Sequence, residues 1–404
     1  MTKVVIKAAD GTGSVELYNN AVKVFETTDS GISITGQSKG VCTHNLILNG
    51  AMLVDQRNSG SAYTGTTSMV MDQWKMHVGG QDENPTGQQH ALTKASDALP
   101  WAAGLRYSFL VTNGNQTSGA GSSDYLGLIQ HVEAYNARNS GWDYNSTSSY
   151  ITLSFWVKSS VAQNFYGYLR TPDGTSRAYI FETGNLTADT WTKITKTIPG
   201  DSNITINNDT GAGLSFYLHA YWGTNYTGSV SLNQWGNYAG TTRTPDYGTA
   251  NDDWWLTNNA TLELTGVQIE LGQVANDFKP EVFTEELQKC KRYYQKSYEY
   301  QDAPGNNTAA GIVLERFGGS SAITNRTDLA IRWEVEMRLT PTVIVYSKVG
   351  TSGSCSDWQT GTTHVADRAV DSVLGNSTKG NRGLDMNSAQ DDALAYHYVA
   401  NSEL

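Results

Sequence analysis

The sequence predicts an all-β protein, and three features of the 404-residue chain support this fold class. Charged residues make up only 17% of the chain, whereas 40 glycines, 22 tyrosines and 11 tryptophans favour strands and tight turns over helices. Apolar and polar residues alternate with a period of two over long stretches, as they do in strands with one buried face. Many such strands, separated by Gly and Asn turns, predict a two-sheet β-sandwich.

Composition and charge exclude several classes of partner. The formal net charge of −11 repels a polyanion, and no Lys/Arg stripe is present to neutralise phosphates, so we expect no nucleic-acid partner. No apolar run has the length of a membrane span, and residues 1–10 lack the apolar centre of a secretory signal, so we expect cytoplasmic synthesis without membrane insertion. Cys42, Cys290 and Cys355 are odd in number and far apart, which predicts reduced thiols.

Residues 1–43 are predicted to form a separate N-terminal segment for oligomerisation or attachment. Short apolar stretches at 4–6, 15–17, 22–25 and 32–34 are divided by turn residues. Because each stretch offers only two or three apolar side chains, the segment cannot build a core alone. We expect another chain or the next domain to cover it, and three copies around a common axis is one such arrangement.

Residues 44–283 are predicted to form the central sandwich. Two stretches show the alternation most clearly and assign an inward face to Ile151, Leu153, Phe155, Val157, Leu214, Phe216, Leu218 and Ala220. The same pattern assigns an outward face to Trp156, Tyr217, His219 and Tyr221. In the last strand the apolar phase slips by one residue at Thr265 and Gly266, which predicts a β-bulge.

A linking helix and a second β domain are predicted after Pro280. Thr284 is a suitable N-cap with Glu285 and Glu286 in the first turn, so we place the helix at 284–300. Cys290 is predicted to pack on its buried face. Residues 301–404 are predicted to form a C-terminal β-sandwich domain, with strands at 331–339, 343–346 and 393–400 and long surface loops at 347–387.

Three short motifs near the N-terminus resemble a segment of phage tail fibres and other virion proteins. They are 13–20 (GSVELYNN), 23–28 (KVFETT) and 31–36 (GISITG), within a segment of about a tenth of the chain. The resemblance implies assembly with threefold symmetry. We therefore expect a homotrimer that contacts other virion proteins.

A second set of motifs resembles the jelly-roll carbohydrate-binding modules of bacterial glycanases and phage structural proteins. The motifs are 45–50 (NLILNG), 55–57 (DQR), 71–74 (MDQW), 154–158 (SFWVK), 190–191 (TW), 266–272 (GVQIELG) and 285–294 (EELQKCKRYY). The resemblance implies a central jelly roll in a phage virion protein, a trimeric tail-fibre or spike subunit that engages host surface glycans. A capsid-attached fibre or decoration protein without a glycan ligand is the alternative.

Aromatic side chains supply the candidate glycan-binding residues, because sugar sites stack aromatic faces on pyranose rings and add a few hydrogen bonds. The candidates lie on one predicted strand and in the loop before the last strand: Tyr217, His219, Tyr221, Trp222, Trp235, Tyr238, Trp254 and Trp255. The alternative is that these rings cover a sheet or a subunit interface, where aromatic residues are also enriched. Trp156 and Trp191 are interpreted as structural.

Little in the sequence points to catalysis. Glu133 with Asp252 or Asp253 is the one candidate carboxylate pair of the glycosidase type, and the alternative is that such carboxylates are solvated or bind a structural Ca²⁺. The seven histidines lack paired metal spacing, and no phosphate-binding Gly-Lys-Ser/Thr loop is present. We therefore predict no enzymatic activity and no cofactor, ahead of two alternatives, a polysaccharide depolymerase and a secreted glycan-binding module.

Overall fold

Four N-terminal strands form a small antiparallel sheet in the computed structural model of the protein. The structure describes residues 44–247, 253–316, 330–358, 366–386 and 393–404, and before them the backbone of these strands. The strands are β1 Val4–Ala8, β2 Val15–Asn19, β3 Val22–Thr28 and β4 Gly31–Ser33, in the order β1-β2-β3-β4. The predicted N-terminal strands are confirmed, and Cys42 lies outside the described residues.

Two packed antiparallel sheets form the central sandwich. The elements are β5 Tyr63–Thr64, β6 Ser68–Met71, β7 Trp74–Gly79, β8 Thr86–Ala91, α1 Ala98–Ala102, β9 Tyr107–Thr112, β10 Tyr125–Glu133, α2 Ala134–Arg138, β11 Tyr150–Ser159, β12 Asn164–Thr171, β13 Arg177–Asn185, β14 Thr192–Pro199, β15 Ala212–Trp222, β16 Trp235–Asn237, α3 Asp253–Leu256 and β17 Thr261–Leu271. The seven-stranded sheet has the order β16-β13-β12-β15-β10-β7-β6, and the six-stranded sheet has the order β14-β11-β17-β9-β8-β5. The predicted all-β sandwich is confirmed.

The core between the sheets uses the inward faces that alternation predicts on β11 and β15. All eight predicted inward residues of these two strands are fully buried in one cluster. Phe216 lies near its centre, with its ring 5.6 Å from Phe155 and 6.0 Å from Trp74 between centroids, both edge to face. Alternate side chains of each strand therefore pack between the two sheets and hold them together.

A β-bulge lies on β17 where the phase slip predicts one. Ser154 pairs with Gln268 whereas Trp156 pairs with Thr265, so β17 carries one extra residue. Gly266 adopts a φ of 60° there, a conformation that glycine reaches without steric cost. The bulge restores the inward phase for the rest of the strand.

A second bulge, on β15, has no signal in the sequence. Leu126 pairs with Tyr221 and Gly127 with His219, which leaves Ala220 as the extra residue. The side chain of Tyr221 therefore joins the sandwich core. The outward orientation predicted for Tyr221 is corrected.

The linking helix and the C-terminal domain follow the sandwich. The elements are α4 Phe283–Lys291, β18 Tyr294–Lys296, β19 Val313–Arg316, β20 Ile331–Arg332, β21 Thr342–Tyr346, β22 Ser354–Trp358, β23 Ala366–Leu374, β24 Gly380–Asn381, β25 Gly383–Met386 and β26 Ala393–Asn401. β26 is the central strand of the C-terminal sheet and pairs with β18, β19, β21 and β22. The strands predicted at 343–346 and 393–400 are confirmed.

The helix is shorter than the predicted range 284–300. It begins one residue before Thr284, its N-cap is Val282 without a side-chain cap, and β18 follows because residues 294–296 pair with the end of β26. Cys290 is fully buried on the helix, and burial raises the pKa of its thiol well above the ordinary value, in agreement with the predicted packing role. Within the described ranges, no helix is long and apolar enough to cross a membrane.

Two assignments in the C-terminal domain are wrong. Alternation at 331–339 predicts one long strand, but the strand there ends after two residues. The following backbone finds partners outside any ladder: the amide of Met337 donates to the Thr378 carbonyl, and that of Arg338 to the Arg292 carbonyl. Conversely, the range 347–387, predicted as loops, contains β22, β23, β24 and β25.

Candidate functional site

Tyr217 and His219, two of the predicted glycan residues, are covered by another part of the chain. They lie on the outer face of the seven-stranded sheet, where Tyr168 stacks on Tyr217 at 4.3 Å and the ring of His219 lies 5.9 Å from that of Tyr217. Leu232 and Tyr238 from the segment after β15 pack on this cluster. Since Tyr217 is 9% exposed and His219 is 0% exposed, neither ring offers a face to a sugar.

Tyr221, Trp254 and Trp255 lie in the sandwich core. Tyr221 stacks on Trp255 at 5.3 Å. The indole N–H groups of Trp254 and Trp255 donate to the carbonyls of Thr261 and Gly119. The surface position expected for these three rings is corrected to a core position.

Trp235 and Tyr238 are the predicted glycan residues that stay partly exposed. The indole N–H of Trp235 donates to the Pro199 carbonyl at 2.7 Å, and its ring meets Tyr179 edge on at 5.7 Å. The guanidinium of Arg170 lies 4.0 Å from the centroid of the Tyr238 ring. Each ring thus has an intramolecular partner, and sugar contact by these two remains a prediction.

Trp222 belongs to a buried cluster with two neutral histidines. The ring of His219 lies 4.3 Å from Trp222 and 6.3 Å from His77, and Gly127 leaves space for it, since a Cβ there would lie 2.2 Å from the imidazole. Burial lowers the pKa of His219 well below its ordinary value and, together with the charge of Arg243, lowers that of His77 to about 4. Trp222 is buried beneath the Arg243 guanidinium and is not available to a sugar.

Glu133, considered from sequence only as a candidate for a carboxylate pair, has a structural role. Its side chain is 1% exposed and accepts hydrogen bonds from the guanidinium of Arg292 at 2.6 and 2.9 Å and from the hydroxyl of Tyr293 at 2.8 Å. A buried carboxylate held in a bidentate pair is not free to attack a substrate or exchange a proton with it. Asp253 is exposed at the start of α3, and Asp252 lies outside the described residues.

Metal sites are also not formed by the described part of the chain. No group of three or more His, Cys, Asp or Glu side chains there is placed to hold a metal ion. The structural Ca²⁺ site considered as an alternative for the carboxylates therefore finds no candidate ligand cluster in the described ranges.

An open pocket of about 460 Å³ lies on the outer face of the six-stranded sheet. Trp156 from β11 and Phe278 from the segment after β17 give it aromatic walls, and the exposed side chains of Lys193 and Asp277 give it charged groups. The rest of the lining is small or apolar: Ala102, Ala103, Gly104 and Pro280. The volume falls within the range of small-ligand sites, about 300–1,000 Å³.

The position of Trp156 follows from the local strand structure. It alternates with core residues on β11, so its ring points outward, and it lies directly opposite Lys193 on β14. On the other side it pairs with Thr265, next to the bulge, where a Cβ on Gly266 would lie 3.2 Å from the indole. The glycine therefore leaves room for the ring at the pocket.

The aromatic rings of this pocket are partly exposed, and they pack against the small cluster of Leu92, Leu105 and Trp191. Within the described residues, neither Trp156 nor Phe278 makes a ring–ring or cation–π contact. A second pocket, of about 470 Å³ and lined by tyrosines of the C-terminal domain, differs in this respect. There Tyr298 stacks on His397 at 3.8 Å, and Tyr300 is met by another ring.

Sequence reasoning interpreted Trp156 as structural and missed this pocket. The outward place of a tryptophan in a clear alternation was the available signal. Phe278 and Asp277 gave none, because they lie beyond the last strand of the sandwich, where no periodic pattern holds. Only folding brings them beside β11.

Comparison with known proteins gives structural similarity alone. No family model and no curated protein matches the sequence. Among solved structures, the chain is similar to an arabinose-bound α-L-arabinofuranosidase (13% identity, TM-score 0.27), to the enzymatically active domain of bacteriophage CBA120 tailspike protein 4 (11%, 0.25), and to a family 11 carbohydrate-binding module from Clostridium thermocellum in complex with a β-1,3-1,4-mixed-linked tetrasaccharide (10%, 0.23).

The matched regions cover 54, 56 and 53% of this chain and 26, 21 and 97% of the respective structures. The chain thus spans about a quarter and about a fifth of the length of the first two. Because all three TM-scores lie below 0.5, we base the function on the geometry of the pocket.

Proposed function

We propose that the chain is a non-enzymatic structural protein of a phage particle, a trimeric tail-fibre or spike subunit that binds host surface glycans. The observation that carries the glycan part is the outer-face pocket, where the partly exposed rings of Trp156 and Phe278 lie beside Lys193 and Asp277. The N-terminal motifs and the separate N-terminal sheet support the virion part. Synthesis in the host cytoplasm and contact with other virion proteins belong to the same proposal.

The pocket has the chemistry that a sugar ring requires. The apolar C–H face of a pyranose packs on an aromatic ring, while its hydroxyls need donors and acceptors. Lys193 supplies three N–H donors and Asp277 supplies acceptor oxygens. A shallow site of this kind binds at around millimolar, about 4 kcal/mol, and three linked copies raise the apparent affinity by about 10².

Replacing Trp156 by Ala should weaken glycan binding about tenfold or more, a loss of about 1.4 kcal/mol, because the stacking surface disappears. Binding is measured by glycan-array screening of the intact protein, followed by NMR titration with the best oligosaccharide. Trp235→Ala is the matched control, since it removes a partly exposed tryptophan of the other sheet.

The paired variants separate two sites. In one outcome, the Trp235→Ala variant loses binding while a folded Trp156→Ala protein keeps it in full. That result would place the glycan site at Trp235 and Tyr238, which were selected from the sequence. Unchanged binding in both would remove the glycan part of the proposal. A reducing-sugar assay on capsular polysaccharides tests the non-enzymatic part, and steady product release by the wild-type protein would contradict it.

The full-length chain is expected to be a homotrimer at micromolar concentration, because the N-terminal strands are too short to bury their own apolar side chains. Native mass spectrometry gives the subunit number. Deletion of residues 1–40 should abolish the trimer while circular dichroism shows an intact sandwich. A stable monomer of the full-length chain would refute this prediction.

A further inference from the structure

A partly buried lysine lies between two carboxylates on the outer face of the six-stranded sheet, next to the pocket. Lys158 on β11 and Glu263 on β17 are direct cross-strand partners, with the Nζ atom 2.7 Å from Oε1 of Glu263. Asp97, just before α1, approaches from above the sheet, and its Oδ1 lies 3.1 Å from the same Nζ. The three side chains are only 16%, 6% and 2% exposed, respectively.

Every oxygen of Asp97 is held by a donor. The indole N–H of Trp191 donates to Oδ1 at 2.8 Å. The amide of Thr93 and the hydroxyl of Ser96 donate to Oδ2 at 2.9 and 2.6 Å. Lys158 also lies 4.9 Å from the centre of the Trp191 ring, so the lysine has an aromatic wall. The carboxyl carbon of Asp97 therefore has one fixed orientation beside the amine.

Glu263 is placed to carry a proton. Its Oε1 contacts Nζ of Lys158, while its Oε2 accepts a hydrogen bond from Ser108 at 2.7 Å and lies 3.1 Å from Nδ1 of His90. The charge of the carboxylate is thus fixed beside the amine that has to lose protons.

We propose that Lys158 and Asp97 form an intramolecular amide bond. The Nζ atom of Lys158 attacks the Cγ atom of Asp97, the new N–C bond forms, and one C–O bond of the carboxyl group breaks. The ammonium group supplies two protons, the carboxylate supplies one oxygen, and together they leave as water. Glu263 accepts a proton from Nζ and passes it to the leaving oxygen of Asp97, so it ends in its starting state.

The geometry supplies what this condensation requires. Holding the amine and the carboxyl group in contact replaces a bimolecular encounter, and such orientation is worth many orders of magnitude in effective concentration. The donors around Asp97 stabilise negative charge on its oxygens both before and during attack, so the rate gain comes from orientation. Burial acts to raise the pKa of Asp97, but the bonds from Ser96, Thr93, Trp191 and Lys158 outweigh it and hold that pKa well below the usual range.

The reaction therefore starts from an ion pair, and removal of a proton from the ammonium group limits its rate. A slow rate is sufficient, because the bond forms once in each chain and is not turned over.

The product ties the segment that contains α1 to the sheet. That segment includes Ala102, Ala103 and Gly104, which line the aromatic pocket. The amide would keep this wall of the pocket in place under mechanical load or heat.

Intact-mass spectrometry of the full-length chain tests the proposal directly. The protein should be lighter than its sequence by the mass of one water molecule, after allowance for removal of Met1, and a protease digest should yield one branched peptide that joins Asp97 to Lys158. Lys158→Arg keeps the positive charge and should have the full mass. Asp97→Asn should form the same amide with loss of ammonia instead of water.

The Glu263→Gln variant tests the proton carrier, and it should retain the full mass or lose water far more slowly than the wild type. A wild-type chain with the full sequence mass, or with a water loss that maps to other residues, would overturn the proposal and leave the cluster as an ion-pair network. Rapid, complete water loss in Glu263→Gln would overturn the role of Glu263.

Discussion

Replacing Arg292 by Met should lower the free energy of unfolding by about 3 kcal/mol, because it leaves a buried carboxylate without its cation. Glu133 is 1% exposed, and after the change only the Tyr293 hydroxyl would remain of the three hydrogen bonds described for its side chain. The pair joins the end of β10 to the residue after α4, so the loss falls on the junction between the sandwich and the C-terminal domain. Urea denaturation at pH 7 measures the effect.

The neighbouring ion pair supplies a matched control. Lys291 pairs with Glu334, which is 55% exposed, so Lys291→Met should cost less than about 1 kcal/mol. Equal effects of the two variants would show that burial of Glu133 does not set the stability of the junction.

Acid should destabilise the outer face of the seven-stranded sheet through its histidines. Burial lowers the pKa of His131 to about 3 and, with the Arg243 charge, that of His77 to about 4, and it lowers the pKa of His219 well below the ordinary 6.5. In the unfolded chain these imidazoles take up protons below about pH 6.5, whereas in the folded chain they stay neutral. Their contribution is therefore complete above pH 6.5 and falls as the pH falls towards about 4 for His77 and about 3 for His131. For His219 alone, the loss between pH 7 and pH 5 is about 2 kcal/mol.

Two buried carboxyls act in the opposite direction. Burial raises the pKa of Asp72 and of Glu286 to about 7, so both bind a proton in the folded state at a pH where the unfolded chain has released it. Their contribution to stability is present at low pH and declines as the pH rises through 7. The histidine effect is therefore read from a variant and not from the wild-type curve alone.

His219→Phe keeps a planar ring in the stack and removes the titration, so its free energy of unfolding should fall about 2 kcal/mol less than that of the wild type between pH 7 and pH 5. NMR signals of the His219 ring provide a second readout and should keep their neutral-state positions down to pH 5. Titration of that ring near pH 6.5 would contradict the prediction.

Local sequence patterns were sufficient where the structure depends on neighbouring residues. The inward faces of β11 and β15 follow from a period of two, since successive side chains of a strand point to opposite sides. The β17 bulge is visible because Gly266 interrupts that period, and its φ of 60° suits glycine. The short N-terminal strands and β26 are bounded by turn residues, so the chain itself marks where they begin and end.

Patterns failed where pairing or cover comes from distant residues. The alternation at 331–339 is as clear as that of a strand, yet no partner strand receives its backbone beyond Arg332. Tyr221 turns inward because β15 carries one more residue than β10 at that point. A ladder needs two strands, and the sequence of one strand does not contain the register of the other.

The sequence by itself determined the fold class, the main strand faces and the abundance of aromatic rings, because period-two alternation and turn residues are local properties. Tertiary structure alone decided which rings are exposed. The segment after β15 covers Tyr217, whereas Trp156 stays partly exposed and gains Phe278 and Asp277 as neighbours. The same holds for the contact between Lys158 and Asp97. Exposure and proximity depend on what packs against a residue, and those contacts come from parts of the chain far away in sequence.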